Sequence, residues 1–324
     1  MAVYAPVLER YPAPQVLGGR VFIEEYLQDL RRDRFSPGAV WIYVRRTLER
    51  AREDMVASSS AVRSLWSLAL VFYAGAFVAA VAIALIYDRH LAYAFFLGTA
   101  LWILPTFVLV TLHIGMLRDR AGYRLSAINL PTALTLLRIT LVPVLMVSLV
   151  RHHFTLAFAA LIVAAATDVL DGWLARRSNQ TTRLGTVMDP LVDIIFNFAL
   201  FAALTAAGLL KPWLLWVASL RYAILLAGGA FLYVFVGPVR IYPTLFGRLS
   251  GVVMAALVAF LTLLYARDGA MAETLAPLTE IALGVLLSAT VAQVVALGWY
   301  NLRVMSVAAR APGRVVGDVR WGAR

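Results

Sequence analysis

The sequence predicts an all-α integral membrane protein with eight transmembrane helices. Of its 324 residues, 62% are hydrophobic and 15% charged, at a mean hydropathy of +0.81. A soluble domain carries about 25% charged residues. Eight apolar runs reach the roughly 20 residues needed to cross a bilayer: 64–87, 91–113, 130–150, 154–176, 188–210, 212–236, 246–266 and 276–300. The connections carry the third observation. Counting Arg176 and Arg248 at the run ends with their adjoining connections, 23 basic residues lie in the terminal segments and the connections on their side, against 4 in the opposite turns. The positive-inside rule then places both termini in the cytoplasm.

Residues 1–63 contain ten arginines and eight acids and read as a cytoplasmic segment. The start Met1-Ala2-Val3-Tyr4-Ala5-Pro6 lacks the basic region and apolar core of a signal peptide, so the segment is expected to stay in place. Ser36-Pro37 is a helix start, because serine can cap and proline fits the first turn. Val40, Trp41, Val44, Leu48 and Ala51 then share a face, as in a helix lying in the membrane interface. A small soluble helical hairpin is the alternative.

Residues 64–120 form a two-helix transmembrane extension, 121–300 a six-helix unit, and 301–324 a basic tail. The net charge of +11 sits beside membrane segments, which points to anionic lipid rather than nucleic acid. Cysteine is absent, excluding disulfides and thiolate chemistry. No Walker loop, dinucleotide fingerprint or paired zinc histidines occur, and His152-His153 falls in an outer turn of solvated residues.

Arg138 and Arg221 stand apart, each about nine residues or roughly 13 Å inside its run. A charge at that depth costs a few kcal/mol and usually faces the protein interior. Both are candidates for pairing with an intramembrane acid or a substrate phosphate.

The acids define where the chemistry lies. Between Asp119 and Asp268 the only acidic residues are Asp168, Asp171, Asp189 and Asp193. Helical spacing of three and four puts each pair on one face, at the cytoplasmic end of the fourth run and the start of the fifth. All four are expected to converge in one pocket. Such a cluster requires either protonation or bound cations. Oxygen-only ligands suit Mg²⁺ or Mn²⁺ beside phosphate, and two such ions can hold a pyrophosphate.

The spacing Asp168-x-x-Asp171-Gly172-x-x-Ala175-Arg176, eight residues, then Gly185-x-x-x-Asp189-x-x-x-Asp193 resembles the signature of CDP-alcohol phosphotransferases. All eight specified positions are matched. Asn129-Leu130-Pro131-Thr132-Ala133-Leu134-Thr135-Leu136-Leu137-Arg138 also resembles the first core helix of phosphatidylglycerophosphate synthases. The resemblance covers roughly Asn129–Tyr300. It implies a six-helix core, here preceded by two additional transmembrane helices.

The resemblance also implies a reaction. A CDP-alcohol, chiefly CDP-diacylglycerol, gives its phosphatidyl group to an acceptor hydroxyl with release of CMP, in phospholipid biosynthesis. Asp168, Asp171, Asp189 and Asp193 are implied ligands of two Mg²⁺ or Mn²⁺ ions, with Asp193 also the general base. Thr135, Gly172, Ala175, Arg176 and Gly185 are implied CDP-binding residues. The active site is expected to face the cytoplasm, and a homodimer is expected.

Met188-Asp189-Pro190 and Gly247-Arg248 resemble branches that accept glycerol 3-phosphate or form cardiolipin. Glycerol 3-phosphate is the favoured small polar acceptor, with phosphatidylglycerol, inositol phosphate and serine as alternatives. Arg138, Arg221, Arg240 and Arg248 are the candidates for holding an acceptor phosphate. Two departures bear on this: Ile194 stands where lysine is common, and Arg221-Tyr222 where Arg-Glu is expected. A cation-coupled transporter is the rival class, but it leaves the fixed glycine, alanine and arginine offsets without a reason. A catalytically dead scaffold is a further alternative that the complete signature disfavours.

Overall fold

The computed structural model describes residues 29–310 apart from 31, 120, 179 and 232–244, with the side chains of 248 and 301–310 also outside the description. The chain divides into two compact units between Glu53 and Asp54. The helices are α1 (Pro37–Ala57), α2 (Ser59–Ile86), α3 (Arg89–Leu112), α4 (Leu130–Thr140), α5 (Val142–Val150), α6 (Phe154–Arg177), α7 (Arg183–Ala206), α8 (Pro212–Phe231), α9 (Leu245–Arg267) and α10 (Gly269–Arg310). Among the described residues eight crossings are long and apolar enough for a membrane, with α4 and α5 together making the third. The protein is an all-α, multispanning membrane protein, as the hydropathy pattern predicts.

α1 starts where Ser36-Pro37 predicts, and Ser36 Oγ accepts the Ala39 N–H at 3.3 Å. Of the apolar face read from the sequence, Val40, Trp41, Val44 and Leu48 are exposed and Ala51 is buried. The turn between α2 and α3 is closed by Asp88, whose carboxylate accepts the Leu91 N–H at 2.8 Å. That bond holds the Asp88 carboxyl below the usual range. His153 is not simply solvated: its ring meets Tyr87 edge-on and its Nε2 lies 3.7 Å from Asp88.

The third crossing sits at the centre. Of its apolar window 61% is buried, against 39% or less for every other crossing. α4 packs on α6 and α7, α5 on α3, α6 and α7, and α8 and α9 on α10. The crossing breaks at Leu141 because Pro143 has no N–H to give the carbonyl of Ile139. Trp102 Nε1 of α3 donates to that carbonyl instead, at 3.0 Å. A helix break is thereby converted into a fixed point between the extension and the centre.

Three crossings start five or more residues earlier than the sequence reading, the first at Ser59 rather than 64. The fifth crossing begins at Arg183 rather than 188, because Thr182 caps it by accepting the Gly185 N–H at 3.0 Å. The eighth begins at Gly269 rather than 276, with Asp268 accepting the Met271 N–H.

Where α8 begins, Glu280 of α10 is 7% exposed. Its Oε1 accepts the Lys211 backbone N–H at 3.0 Å and its Oε2 lies 3.2 Å from Lys211 Nζ. Glu280→Ala is expected to cost about 1–3 kcal/mol, read as a lower unfolding midpoint in detergent. Glu280→Gln keeps an acceptor for the N–H and should lose less; equal losses would assign the stabilisation to the charge alone.

Candidate functional site

Three helices build the site. α6 brings Asp168 and Asp171, α7 brings Asp189 and Asp193, and α4, packed between them, brings Thr135 and Arg138. The Arg138 guanidinium is the centre of the arrangement. Its Nη1 lies 2.5 Å from Asp168 Oδ1 and also bonds Asp193 Oδ1, while Nη2 lies 2.5 Å from Asp171 Oδ2. Arg138 is 4% exposed, and its Nε has no hydrogen-bond partner among the described residues. Of the two roles open to it from the sequence, pairing with the aspartates is the one the structure displays.

Asp189 joins through Thr135, whose Oγ1 is 3.1 Å from Asp189 Oδ1 and 3.3 Å from Asp171 Oδ2. A hydroxyl has one proton and the Pro131 carbonyl also lies 3.1 Å away, so Thr135 serves at most one carboxylate at a time. The four aspartates therefore do converge, but three of them on a guanidinium and the fourth through Thr135, rather than all on a shared cation position. Among the described residues no three carboxylates or imidazoles are disposed to hold one metal ion. The donor set still suits a hard divalent cation: it is all oxygen, and four carboxylates face one guanidinium. Side chains of Asp168 and Asp193 are 55% and 52% exposed, so they remain reachable.

Beside this cluster lies a small cleft. Its walls are Pro131, Thr132 and Thr135 from α4, Asp171, Gly172 and Ala175 from α6, Gln180, Thr181 and Thr182 from the connection, and Gly185, Thr186 and Asp189 from α7. Six of these residues are ones the sequence singled out. Both glycines leave room for a neighbouring polar side chain. A Cβ on Gly185 would sit 3.2 Å from Thr182 Oγ1, and one on Gly172 would sit 3.2 Å from Arg176 Nη1.

Thr132, Gln180, Thr182 and Thr186 were missed. Thr182 had a signal, a threonine three residues before Gly185 at the head of an apolar run. Gln180 had none, since its place depends on Asn129 Nδ2 donating to its carbonyl at 2.6 Å. Arg176 is exposed and does not line the pocket. Arg221 lies on α8 over the Tyr222 ring, 5.4 Å from its centroid, with a buried Nε that has no partner among the described residues, and is also outside the pocket lining. Arg240 falls outside the described residues, and Arg248 lies in α9 with its side chain undescribed.

The family described as CDP-alcohol phosphatidyltransferase matches residues 128–311, more than half of the chain. The chain belongs to this enzyme family. All three helices of the site fall within the matched residues, and α1 to α3 precede them. Among relatives, a CDP-diacylglycerol–glycerol-3-phosphate 3-phosphatidyltransferase of Aquifex aeolicus is 32% identical over 106 residues, 32% of this chain and 60% of its own. The human cardiolipin synthase (CMP-forming) is 36% identical over 100 residues, 31% of this chain and 33% of its own. The glycerol-3-phosphate enzyme of Escherichia coli K12 is 46% identical over 68 residues, 20% of this chain and 37% of its own. The matched stretches thus span between a third and three fifths of these relatives. No solved structure matches.

Arg138→Met removes the one cation of the cluster. Stripping one partner from a buried pair costs roughly 3–5 kcal/mol, and the half-exposed Asp168 and Asp193 hold the loss near the lower end. Denaturation of the chelator-treated protein reads it, and Mn²⁺ should restore part of the loss to the variant.

Proposed function

We propose that the chain transfers a phosphatidyl group from CDP-diacylglycerol, or another CDP-linked alcohol, to an acceptor hydroxyl and releases CMP. One observation carries this reading: Asp171, Gly172, Ala175, Gly185 and Asp189, fixed positions of the family signature, line one pocket together with Thr135. Gly172, Ala175 and Gly185 border the cytidine, Thr135 orients the Asp171 and Asp189 carboxylates, and Arg176 at the cytoplasmic margin attracts the pyrophosphate.

Asp168, Asp171, Asp189 and Asp193 would hold two divalent ions, Mg²⁺ or Mn²⁺, whose charge would neutralise the pyrophosphate. The chain's own part is positioning and proton transfer. Asp193 Oδ1 is engaged by Arg138, which orients Oδ2 as the acceptor of the hydroxyl proton. The acceptor oxygen forms its bond to the phosphorus carrying the lipid, the bond from that phosphorus to the CMP oxygen breaks, and CMP leaves with the electron pair. In-line placement contributes most of the acceleration.

Glycerol 3-phosphate is the favoured acceptor. Met188-Asp189-Pro190 supports it, as do the names of the Aquifex and E. coli relatives. The buried Nε of Arg221, without a partner among the described residues, supports a phosphate site there, with Arg138, Arg240 and Arg248 as the other candidates. The cardiolipin synthases among the relatives favour phosphatidylglycerol as the second reading. The excess of basic residues on the terminal side supports a cytoplasmic active site. Residues 1–63, 64–120, 121–300 and 301–324 then form a cytoplasmic segment, a membrane extension, the catalytic core and a tail, in a homodimer.

Purified protein with Mg²⁺ or Mn²⁺ and CDP-diacylglycerol should release CMP when given glycerol 3-phosphate. Release with phosphatidylglycerol instead would move the acceptor; no release with any of glycerol 3-phosphate, phosphatidylglycerol, inositol phosphate or serine would sink the proposal. Asp193→Asn should lower kcat by about 10²–10⁴ while leaving the unfolding midpoint near that of the parent. A variant with full kcat removes the base role.

A further inference from the structure

The two-helix extension lies ahead of the residues shared with the family, yet it reaches the pocket through a chain of polar contacts. The chain begins at Asp54, whose Oδ1 is 2.5 Å from Arg124 Nη2, with Arg124 Nη1 donating to Ser58 Oγ at 2.8 Å. Gly115 passes directly against this pair, and a Cβ there would fall inside the Asp54 carboxylate. Arg124 in turn belongs to a short hairpin after α3. The Leu125 N–H donates to Leu117 O at 3.1 Å, and the Asp119 N–H to Tyr123 O at 3.0 Å. Gly122, at φ +91°, turns it, a conformation glycine adopts without strain.

The hairpin ends on the catalytic helix. Arg118 O accepts the N–H of Arg183 at 3.1 Å. Arg183 is the first residue of α7, whose leading N–H groups have no acceptor within the helix. On either side, Leu117 and Leu184 are buried in one apolar cluster with Leu65 and Phe107 of the extension and Leu136 of α4. A second contact reaches the other wall: the Ile128 N–H donates to Ser64 Oγ at 3.1 Å, immediately before α4. The heads of α4 and α7, which supply Thr132, Thr135, Thr182, Gly185 and Asp189 to the pocket, are thus both tied to residues 54–125. The α6 wall has no such tie among these contacts.

We propose that the extension is a positioning element for the CDP-alcohol pocket, with Asp54 and Arg124 as positioning residues acting through the hairpin on the head of α7. The inference rests on the reading of that pocket as the nucleotide site. Loosening the tie lets the α4 and α7 walls drift relative to α6, so donor binding weakens while the reacting groups keep their chemistry. A role confined to stability predicts something else, a lower unfolding midpoint with the kinetic constants of the folded fraction unchanged.

The test uses the full chain in detergent micelles, with Asp54→Ala, Arg124→Lys and, as a control on the exposed face of α2, Leu70→Ala. For Asp54→Ala the KM for CDP-diacylglycerol and the dissociation constant for CMP should both rise about tenfold, with kcat and the acceptor KM within about twofold. Arg124→Lys, which keeps the charge but loses the two-pronged contact, should fall between Asp54→Ala and the parent, and Leu70→Ala should match the parent. Unchanged KM and CMP affinity in Asp54→Ala, with or without a lower midpoint, overturns the positioning role, as does a fall in kcat alone. Should Asp54→Ala not fold, Arg124→Lys decides by the same two constants. A parent protein that neither turns over nor binds CMP refutes the reading of the pocket and this inference with it, whereas an active parent with indifferent variants refutes the inference only.

Discussion

One guanidinium among four carboxylates organises this protein. Arg138, Asp168, Asp171 and Asp193 come from three helices of an otherwise apolar chain, and in such surroundings each unpaired charge costs several kcal/mol. Nothing local offers relief, since α4 carries no acid and α6 and α7 carry no base at that depth. The three helices therefore have to meet, and they have to meet with Arg138 at the height of the aspartates. The centrality of the third crossing follows from this requirement as much as from its hydropathy.

Height along an apolar helix is poorly specified by packing alone, because one turn of alanine and leucine resembles the next. The structure fixes it with polar contacts. Pro143 releases the Ile139 carbonyl, and Trp102 takes it, pinning the third crossing one residue past Arg138. Thr182 caps α7 two turns before Asp189. Pro190 then deprives the Thr186 carbonyl of its helical partner, so α7 lacks one backbone bond between the pocket wall and Asp193. These are local devices, and each sets where a functional side chain stands.

Much of this was legible in the sequence. The eight crossings follow from hydropathy, since length and composition leave little else that such runs could do. The gathering of the aspartates beside the glycines and alanine was legible, because helical spacing puts each acidic pair on one face, and the depth of Arg138 announced a buried partner. What the sequence did not disclose were contacts without a period. Asp54 meets Arg124 across 70 residues, Asn129 meets Gln180 across 51, and neither pair leaves a mark on hydropathy or helical spacing. The early start of α7 was missed for a related reason. Arg183 reads as a loop charge until Thr182 is recognised as a cap, after which Leu184 becomes a core residue and Arg183 the exposed first turn.

The same chain contains a second buried acid and shows what a purely structural solution looks like. Glu280 faces one lysine, and both of its oxygens are satisfied by that residue, one by the backbone N–H and one by the ammonium. Charge balances and the pair is complete. The aspartate cluster is built differently. Three carboxylates share one guanidinium, a fourth is reached only through a hydroxyl that can serve one neighbour at a time, and two of the four are half exposed. As architecture this would be a poor bargain, because the desolvation cost of buried ions is offset only where geometry and charge close. A site left short of positive charge beside a pocket of glycines and threonines is instead suited to receive it from a ligand, and Glu280 shows that the chain could have done otherwise.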